Sequence, residues 1–195
     1  MHRRVERSAF MASLLRGQVD RARYAGLLHN LQALYAALED ALARHATTPG
    51  VAPVVMPELY RSRALAADLQ ALAGDGALAR VPLARATQQY VERLKELGTA
   101  KPGLLVAHAY VRYLGDLNGG QALRRVVARG LGLAGDTGTL FYDFGDSAAR
   151  LHLVQRFRAG LEAVAAQQKD HQALIDEALS AFERHAQLFD ELAAA

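Results

Sequence analysis

Three glycines and one carboxylate interrupt an apolar helical run at residues 104–123, and this stretch constrains the fold more than any other. It reads LLVAHAYVRYLGDLNGGQAL, with Gly115, Gly119 and Gly120 placed around Asp116. A glycine inside a helix costs about 1 kcal/mol relative to alanine, so this spacing predicts a helix that breaks and restarts. Because glycine has no Cβ, the stretch is equally suited to pressing bare backbone against a flat ligand and aiming one carboxylate at it.

Apolar residues at helical spacing fill most of the 195 residues and predict an all-α, multi-helical fold. We expect a single domain over residues 1–195, with loops at 47–57 and 130–146, the second holding at most a brief extended segment. We expect seven helices. The first closes near Gly17, and the next three span Asp20 to Leu42, Glu58 to Leu72 and Pro82 to Gly98. The fifth is the glycine stretch, which restarts through Arg129, the sixth runs from Ser147 to about Ala166, and the seventh follows Asp170.

Composition excludes several classes of chemistry. The chain has no cysteine, which rules out disulfides, iron–sulfur clusters and thiolate ligation of haem, and its seven histidines are the plausible metal ligands. No apolar run approaches the ~18 residues of a membrane span, and the charged N-terminus is followed by no signal-like apolar region. We therefore expect a cytoplasmic protein, with a modestly basic net charge of +3.

Residues 107–121, AHAYVRYLGDLNGGQ, resemble the distal-helix signature of the haem oxygenase family, with Asn118 where many members carry serine. The likeness covers almost the whole chain in one register, at residues 10–11, 16–19, 34–42, 52–61, 89–98 and 187–189. It implies haem b sandwiched between a proximal helix and a kinked, glycine-rich distal helix. Members of the family use haem as cofactor and substrate. They open its ring at a meso carbon with O2 and electrons, giving biliverdin, carbon monoxide and ferrous iron.

The resemblance also implies roles for the distal stretch. Gly115 and Gly119 would let the helix kink and lie almost on the haem, and Gly120 would permit the restart. Asp116 would hold ordered water that hydrogen-bonds to dioxygen and supplies protons during its activation. On spacing alone, a local cap at a helix break is an equally good interpretation of Asp116.

On the proximal side, the register places the family's haem-ligating histidine at His2. Glu6, four residues on, would support the ligand's second ring nitrogen. Without the resemblance, His2 is simply a mobile terminal residue. Relatives carry further residues before this histidine, some of them basic and close to the propionates. We therefore expect either a start codon upstream of Met1 or a loosely held ligand.

The same register with the family implies positions in the haem site for several further residues. His152 and Arg156 match positions that contact the haem propionates, although their run, with Arg150 and Arg158, is on its own typical of a solvated face. Tyr110 and Arg112 fall near the distal side, in a polar network or in the core. We expect the pocket wall, or plain core, to include Met11, Leu14, Phe182 and Phe189. We assign structural roles to His29, His45, His108, His171 and His185.

Two functions stay open: a biliverdin-producing haem oxygenase, and a haem carrier or sensor on the same fold. The hypothesis of a nucleic-acid binder rests on the basic charge alone, so we do not expect nucleic acid as a partner. Without an apolar span, we do not expect a membrane as a partner either. The sequence has no flavin or nicotinamide fingerprint, which implies a separate electron donor: a ferredoxin, a flavodoxin or an NAD(P)H-dependent reductase. Arg124, Arg125 and Arg129 form a candidate docking face for an acidic donor, and we expect a monomer.

Overall fold

The computed structural model describes residues 8–73, 81–168 and 170–194. Within those ranges every regular element is helical, which confirms the all-α prediction. The α-helices of this part of the chain are α1 (Ala9–Leu15), α2 (Arg21–Arg44), α3 (Ser62–Ala73), α4 (Arg85–Ala100), α5 (Leu105–Leu131), α6 (Ser147–Gln167) and α7 (His171–Ala194). Short 3₁₀ turns lie at Ala52–Val54, Pro57–Leu59, Pro102–Leu104 and Leu140–Tyr142.

Aspartates cap three of these helices where the sequence predicts. The carboxylate of Asp20 accepts a hydrogen bond from the backbone N–H of Arg23 at 2.8 Å, at the start of α2. Asp146 caps α6 in the same way at 2.8 Å, and Asp170 lies 2.9 Å from the backbone nitrogen of Ala173 in α7. Each carboxylate satisfies one of the backbone donors that a helix start leaves unpaired, so these starts are determined locally.

The start of α3 is determined by a residue from another helix. The sequence predicts a helix from Glu58, but the chain forms a 3₁₀ turn at Pro57–Leu59 and begins α3 only at Ser62. The buried carboxylate of Glu39, in α2, accepts hydrogen bonds from the backbone N–H groups of Arg61 and Ser62. Because the cap comes from a distant part of the sequence, local pattern places this helix start four residues too early.

The predicted break and restart in the glycine stretch do not occur. Helix α5 runs without interruption from Leu105 to Leu131 and ends at Gly132, whose φ of 62° suits a glycine C-cap. It packs against α1, α2, α6 and α7. Near its end Gly130 lies so close to the turn that follows α1 that a Cβ there would be 3.0 Å from the Gly17 carbonyl oxygen. Packing on several sides outweighs the low helix propensity of the glycines.

Helix α4 likewise continues past the glycine predicted to stop it. It ends at Ala100, and Gly98 is buried where α4 crosses α2. A Cβ on Gly98 would lie 3.3 Å from the Cβ of Ala41, so the glycine serves close helix contact rather than termination.

The core lies between α2, α4, α5 and α7 and contains the apolar face predicted for α2. Tyr24, Leu28, Leu34, Tyr35 and Leu38 on that helix have no exposed side-chain surface. Across residues 8–73, 81–168 and 170–194, no helix combines the length and the apolar character needed to cross a bilayer.

Candidate functional site

A cavity of about 530 Å³ lies along one side of α5. Its volume is in the range of small-molecule sites, roughly 300–1,000 Å³. Helices α1, α2, α6 and α7 supply the other walls, together with the 3₁₀ turn Leu140–Tyr142. The lining is mainly apolar. Its members from α5 are Tyr110, Val111, Arg112, Leu114, Gly115, Asp116, Asn118, Gly119, Gly120 and Leu123.

Gly115, Gly119 and Gly120 of α5 face different surroundings. A Cβ built on Gly115 or Gly119 would meet no atom within 4 Å, so the backbone at these two positions borders open space. A Cβ on Gly120 would instead lie 3.5 Å from the ring of Tyr142. Two glycines therefore expose backbone to the cavity, and the third lets a tyrosine pack closely on the helix.

Asp116 is almost buried at the cavity wall. Its carboxylate accepts a hydrogen bond from the hydroxyl of Tyr35 in α2, and it lies 3.5 Å from the guanidinium of Arg112, one turn earlier in α5. Burial raises the pKa of the Asp116 carboxyl above its ordinary value, while the Arg112 charge, the Tyr35 hydrogen bond and the more distant Arg61 oppose that rise. The carboxylate is thus held by two fixed donors rather than by bulk water.

Arg112 connects this carboxylate to two other elements. The guanidinium is buried, and its Nε and one Nη donate to the Tyr35 hydroxyl at 3.0 and 2.8 Å. The other Nη lies 2.9 Å from Nδ1 and 2.8 Å from Nε2 of His185 in α7. Burial disfavours the charge, but Tyr35 and Asp116 more than compensate and hold the pKa of Arg112 above its ordinary value.

Several residues predicted from the sequence meet at the cavity. Met11 and Leu14 of α1, Tyr110 and Arg112 of α5, and Phe182 and Phe189 of α7 all line it. Tyr110 is 41% exposed and lies toward solvent, whereas Arg112 is buried in the polar network. The predicted pocket-wall residues therefore share one surface. One of them, Phe189, also stacks on Phe10 with ring centroids 5.9 Å apart.

The basic run of α6 is only partly at the cavity, and the predicted propionate contacts of His152 and Arg156 stay predictions. His152 and Arg156 do not line the cavity, and Arg156 pairs with Glu58 at 2.8 Å on an exposed surface. Arg158, from the same basic run, does line the cavity. Successive helical residues are rotated by about 100°, so a shift of two positions moves a side chain to a different face. Arg158 and Arg156 therefore face different surroundings, although only two positions separate them.

His2 and Glu6 lie outside the described residues, so their predicted roles stay predictions. Of the remaining histidines, His108 is buried between the Tyr90 hydroxyl and the Glu177 carboxylate, each at 3.0 Å. His29 and His45 bond backbone carbonyls, of Val81 and Gly98, and His171 is exposed at the start of α7. These placements agree with structural roles, whereas His185 belongs to the polar network of the cavity.

Among the polar side chains of the site, sequence reasoning missed Tyr35, Arg158 and His185. Tyr35 was included among the apolar positions of α2, and only its hydroxyl hinted at a polar partner. Arg158 was recognised as part of a basic run, but without a contact. His185 lies one turn before Phe189, which was predicted to line the pocket, and that spacing was the available signal.

Comparison with known proteins gives consistent results over nearly the whole chain. The family model described as heme oxygenase matches residues 1–191. The chain is 34% identical to heme oxygenase of Rhodella violacea, over 98% of this chain and 81% of that protein. It superimposes with a TM-score of 0.90 on heme oxygenase-1 of Synechocystis in complex with heme, at 33% identity, covering 98% and 86% of the two chains. The heme oxygenase of Leptospira interrogans gives a TM-score of 0.91 at 34% identity, covering 97% and 93%.

Proposed function

The chain belongs to the haem oxygenase family and is a haem-degrading enzyme, and we propose that the cavity beside α5 is where it opens the haem ring. The reaction is cleavage at a meso carbon with O2 and electrons, giving biliverdin, carbon monoxide and ferrous iron. One observation carries the proposal: the buried Asp116 carboxylate stands in the same cavity wall as the bare backbone of Gly115 and Gly119.

The residues present fit haem. Open space over Gly115 and Gly119 allows a flat ring system to approach α5 more closely than any side chain would permit. The apolar lining suits the porphyrin faces, and Arg158 at an exposed position suits a carboxylate that stays in contact with solvent. Bound haem would supply the iron at which O2 is activated and the meso carbon that is oxidised.

Asp116 is the proposed catalytic residue. Its carboxylate oxygens hold water that passes protons into the cavity, because a carboxylate acting through water both fixes geometry and supplies a proton. The Tyr35 hydroxyl and the Arg112 guanidinium hold Asp116 in place. Gly115 and Gly119 leave room for dioxygen next to the carboxylate.

Arg158, which lines the cavity, is the proposed propionate anchor on α6, ahead of the predicted His152 and Arg156. An arginine donates two parallel hydrogen bonds to a carboxylate, so one such contact restrains rotation of a flat ligand in its pocket. The position of the anchor thereby influences which meso carbon lies closest to Asp116. His2 is the proposed axial ligand, with Glu6 on its second ring nitrogen, as the resemblance implies.

The remaining proposals concern partners and context. Electrons come from a separate donor, a ferredoxin, flavodoxin or NAD(P)H-dependent reductase. Arg125 and Arg129 are exposed on α5, which supports a docking face for an acidic protein. Arg124 already pairs with Asp136 and lies 3.9 Å from Asp143, so it adds less to that face. We propose a cytoplasmic monomer, and the family match over residues 1–191 supports one domain.

The experiment is reconstitution with hemin followed by reduction. We expect a Soret band on addition of hemin. With a reductant and O2, we expect loss of that band, biliverdin absorption and release of carbon monoxide. Product analysis by chromatography then identifies the meso carbon that is cleaved. A Soret band that survives reduction in O2 with no biliverdin would instead identify a haem carrier or sensor on this fold.

A further inference from the structure

A buried carboxylate of α3 holds the 3₁₀ turn Leu140–Tyr142, which forms one wall of the cavity. Asp68 has no exposed side-chain surface. Its two carboxylate oxygens each accept one hydrogen bond, from the backbone N–H groups of Leu140 and Phe141, both at 2.8 Å. Hydrogen bonds to an ionised acceptor are roughly twice as strong as neutral ones. Asp68 therefore fixes the peptide groups at the start of this turn.

Two further helices hold the same segment. The Tyr24 hydroxyl of α2 donates to the Gly138 carbonyl oxygen at 3.0 Å, and it also hydrogen-bonds with the hydroxyl of Tyr142. The side-chain amide of Gln121, on α5, donates to the Tyr142 carbonyl oxygen at 3.1 Å. The turn is thus bonded to α2, α3 and α5, and among these anchors Asp68 supplies the ionised acceptor.

The turn forms the inner end of the cavity. The rings of Phe141 and Tyr142 both line the cavity and pack edge-on, with centroids 4.9 Å apart. A Cβ on Gly120 would lie 3.5 Å from the Tyr142 ring, so that ring rests on α5 one helical turn beyond Asp116. Both rings are buried, whereas Tyr110, on the earlier part of α5, is exposed. A flat ligand that enters past Tyr110 therefore meets these two rings at the far end.

We propose that Asp68 is a positioning residue for ring opening: by fixing the turn, it sets where Phe141 and Tyr142 stop the haem. A ring that enters further, or turns in its own plane, presents a different meso carbon to Asp116. Asp68 acts through the turn, since its own side chain does not line the cavity. The inference rests on the proposed function of this cavity.

The test begins with Asp68→Asn, which keeps the side-chain shape but replaces one acceptor oxygen with an NH2 group. One of the buried N–H groups of Leu140 and Phe141 then has no acceptor. In the protein without hemin, we expect amide hydrogen exchange at these two residues to become about five-fold faster, the equivalent of one lost hydrogen bond.

The same variant is then loaded with hemin. Proton NMR of the ferric cyanide complex reports the orientation of the ring through its methyl resonances and needs no turnover. In Asp68→Asn we expect a second set of methyl resonances or a shifted set. After reduction in O2, we expect the ratio of biliverdin isomers to change about five-fold relative to wild type.

Glu191→Gln is the matched control, because Glu191 makes the same pattern of bonds away from the cavity. Its carboxylate accepts from the backbone N–H groups of Arg85 and Ala86, at 2.7 and 2.8 Å, and it does not line the cavity. We expect a lower melting temperature with wild-type methyl resonances and a wild-type isomer ratio. Equal changes in the two variants would reflect general destabilisation and would overturn the proposal.

Tyr24→Phe removes a second anchor of the turn and keeps the aromatic ring. We expect it to change the methyl resonances and the isomer ratio in the same sense as Asp68→Asn, and it replaces that variant if Asp68→Asn does not fold. Faster amide exchange in Asp68→Asn with unchanged methyl resonances and isomer ratio would show that the turn does not position the haem, and the proposal would be wrong.

The wild-type protein distinguishes this proposal from the one it rests on. If wild type binds hemin and forms biliverdin while Asp68→Asn gives the same methyl resonances and isomers, only the role of Asp68 is contradicted. If wild type binds no hemin, the proposed function of the cavity is contradicted, and the role of Asp68 with it.

Discussion

At the residue scale, Asp116 combines burial with two fixed hydrogen-bonding partners. An exposed carboxylate is solvated by exchanging water, whereas Asp116 is held by the Tyr35 hydroxyl and the Arg112 guanidinium beside a cavity. Both partners also oppose the rise of its pKa that burial produces. A carboxylate held in this way can order water at a defined position, which is the requirement for proton delivery to a ligand.

We expect Asp116→Asn to bind hemin with near-normal affinity and to form biliverdin about 100-fold more slowly, the lower end of what a general acid contributes. The side-chain shape is retained, so only the ionisable group is lost. Single-turnover absorption after reduction measures the rate. Asp40→Asn, at an exposed acid paired with Arg44, is the control and should turn over normally. Normal turnover in Asp116→Asn would contradict the catalytic assignment.

We expect Arg158→Ala to weaken hemin binding by about 1 kcal/mol, the upper end of the range for an exposed charged pair. The matched variant is Arg156→Ala, two positions earlier on the same helix. It loses only an exposed ion pair with Glu58 and should bind hemin normally. Titration of the Soret band gives both affinities. The reverse ranking would support Arg156, the anchor that the sequence resemblance implies.

At the element scale, α5 shows how a helix tolerates residues that do not favour it. Its apolar positions Leu105, Val106, Ala109 and Leu117 are buried against several neighbouring helices. This burial exceeds the propensity cost of the glycines, so the helix continues where local pattern predicts a break. The composition of the stretch indicated the open backbone at Gly115 and Gly119, but not helix continuity.

We expect Gly119→Leu to abolish hemin binding without lowering the melting temperature. A side chain there enters open cavity space and meets no protein atom within 4 Å of its Cβ, so the folded protein accommodates it. Gly26→Leu, at a helical glycine of α2 that is equally free of neighbours, should keep both stability and hemin binding. Thermal unfolding and Soret titration of the two variants test this. Retained hemin binding in Gly119→Leu would place the haem elsewhere.

At the scale of the whole molecule, Glu177 connects three helices. From α7 it accepts hydrogen bonds from His108 of α5 at 3.0 Å and from Arg93 of α4 at 2.6 Å. Burial opposes ionisation, but these two donors outweigh it and lower the pKa of Glu177 to about 2. None of these three residues lines the cavity, and we assign the cluster to stability.

We expect Glu177→Gln to lower the free energy of unfolding at pH 7 by on the order of 3 kcal/mol. Because the folded-state pKa is depressed, this contribution is complete above about pH 4.5 and is lost as the pH falls toward about 2. The difference between wild type and variant should therefore shrink over that interval. Urea unfolding at several pH values measures it. Glu92→Gln, which removes an exposed pair with Lys95, should have little effect at any pH.

The sequence by itself determined the helical class, the caps at Asp20, Asp146 and Asp170, and, through the glycine signature, the wall of the cavity. These features depend on local hydrogen bonds and on residue types within a few turns. Only the tertiary structure decided that α5 is continuous, that Glu39 starts α3, and that Arg158 rather than Arg156 reaches the cavity. It also brought Tyr35 to Asp116 and His185 to Arg112. Those outcomes depend on which helix faces meet, and contacts between residues far apart in the chain leave little trace in local pattern.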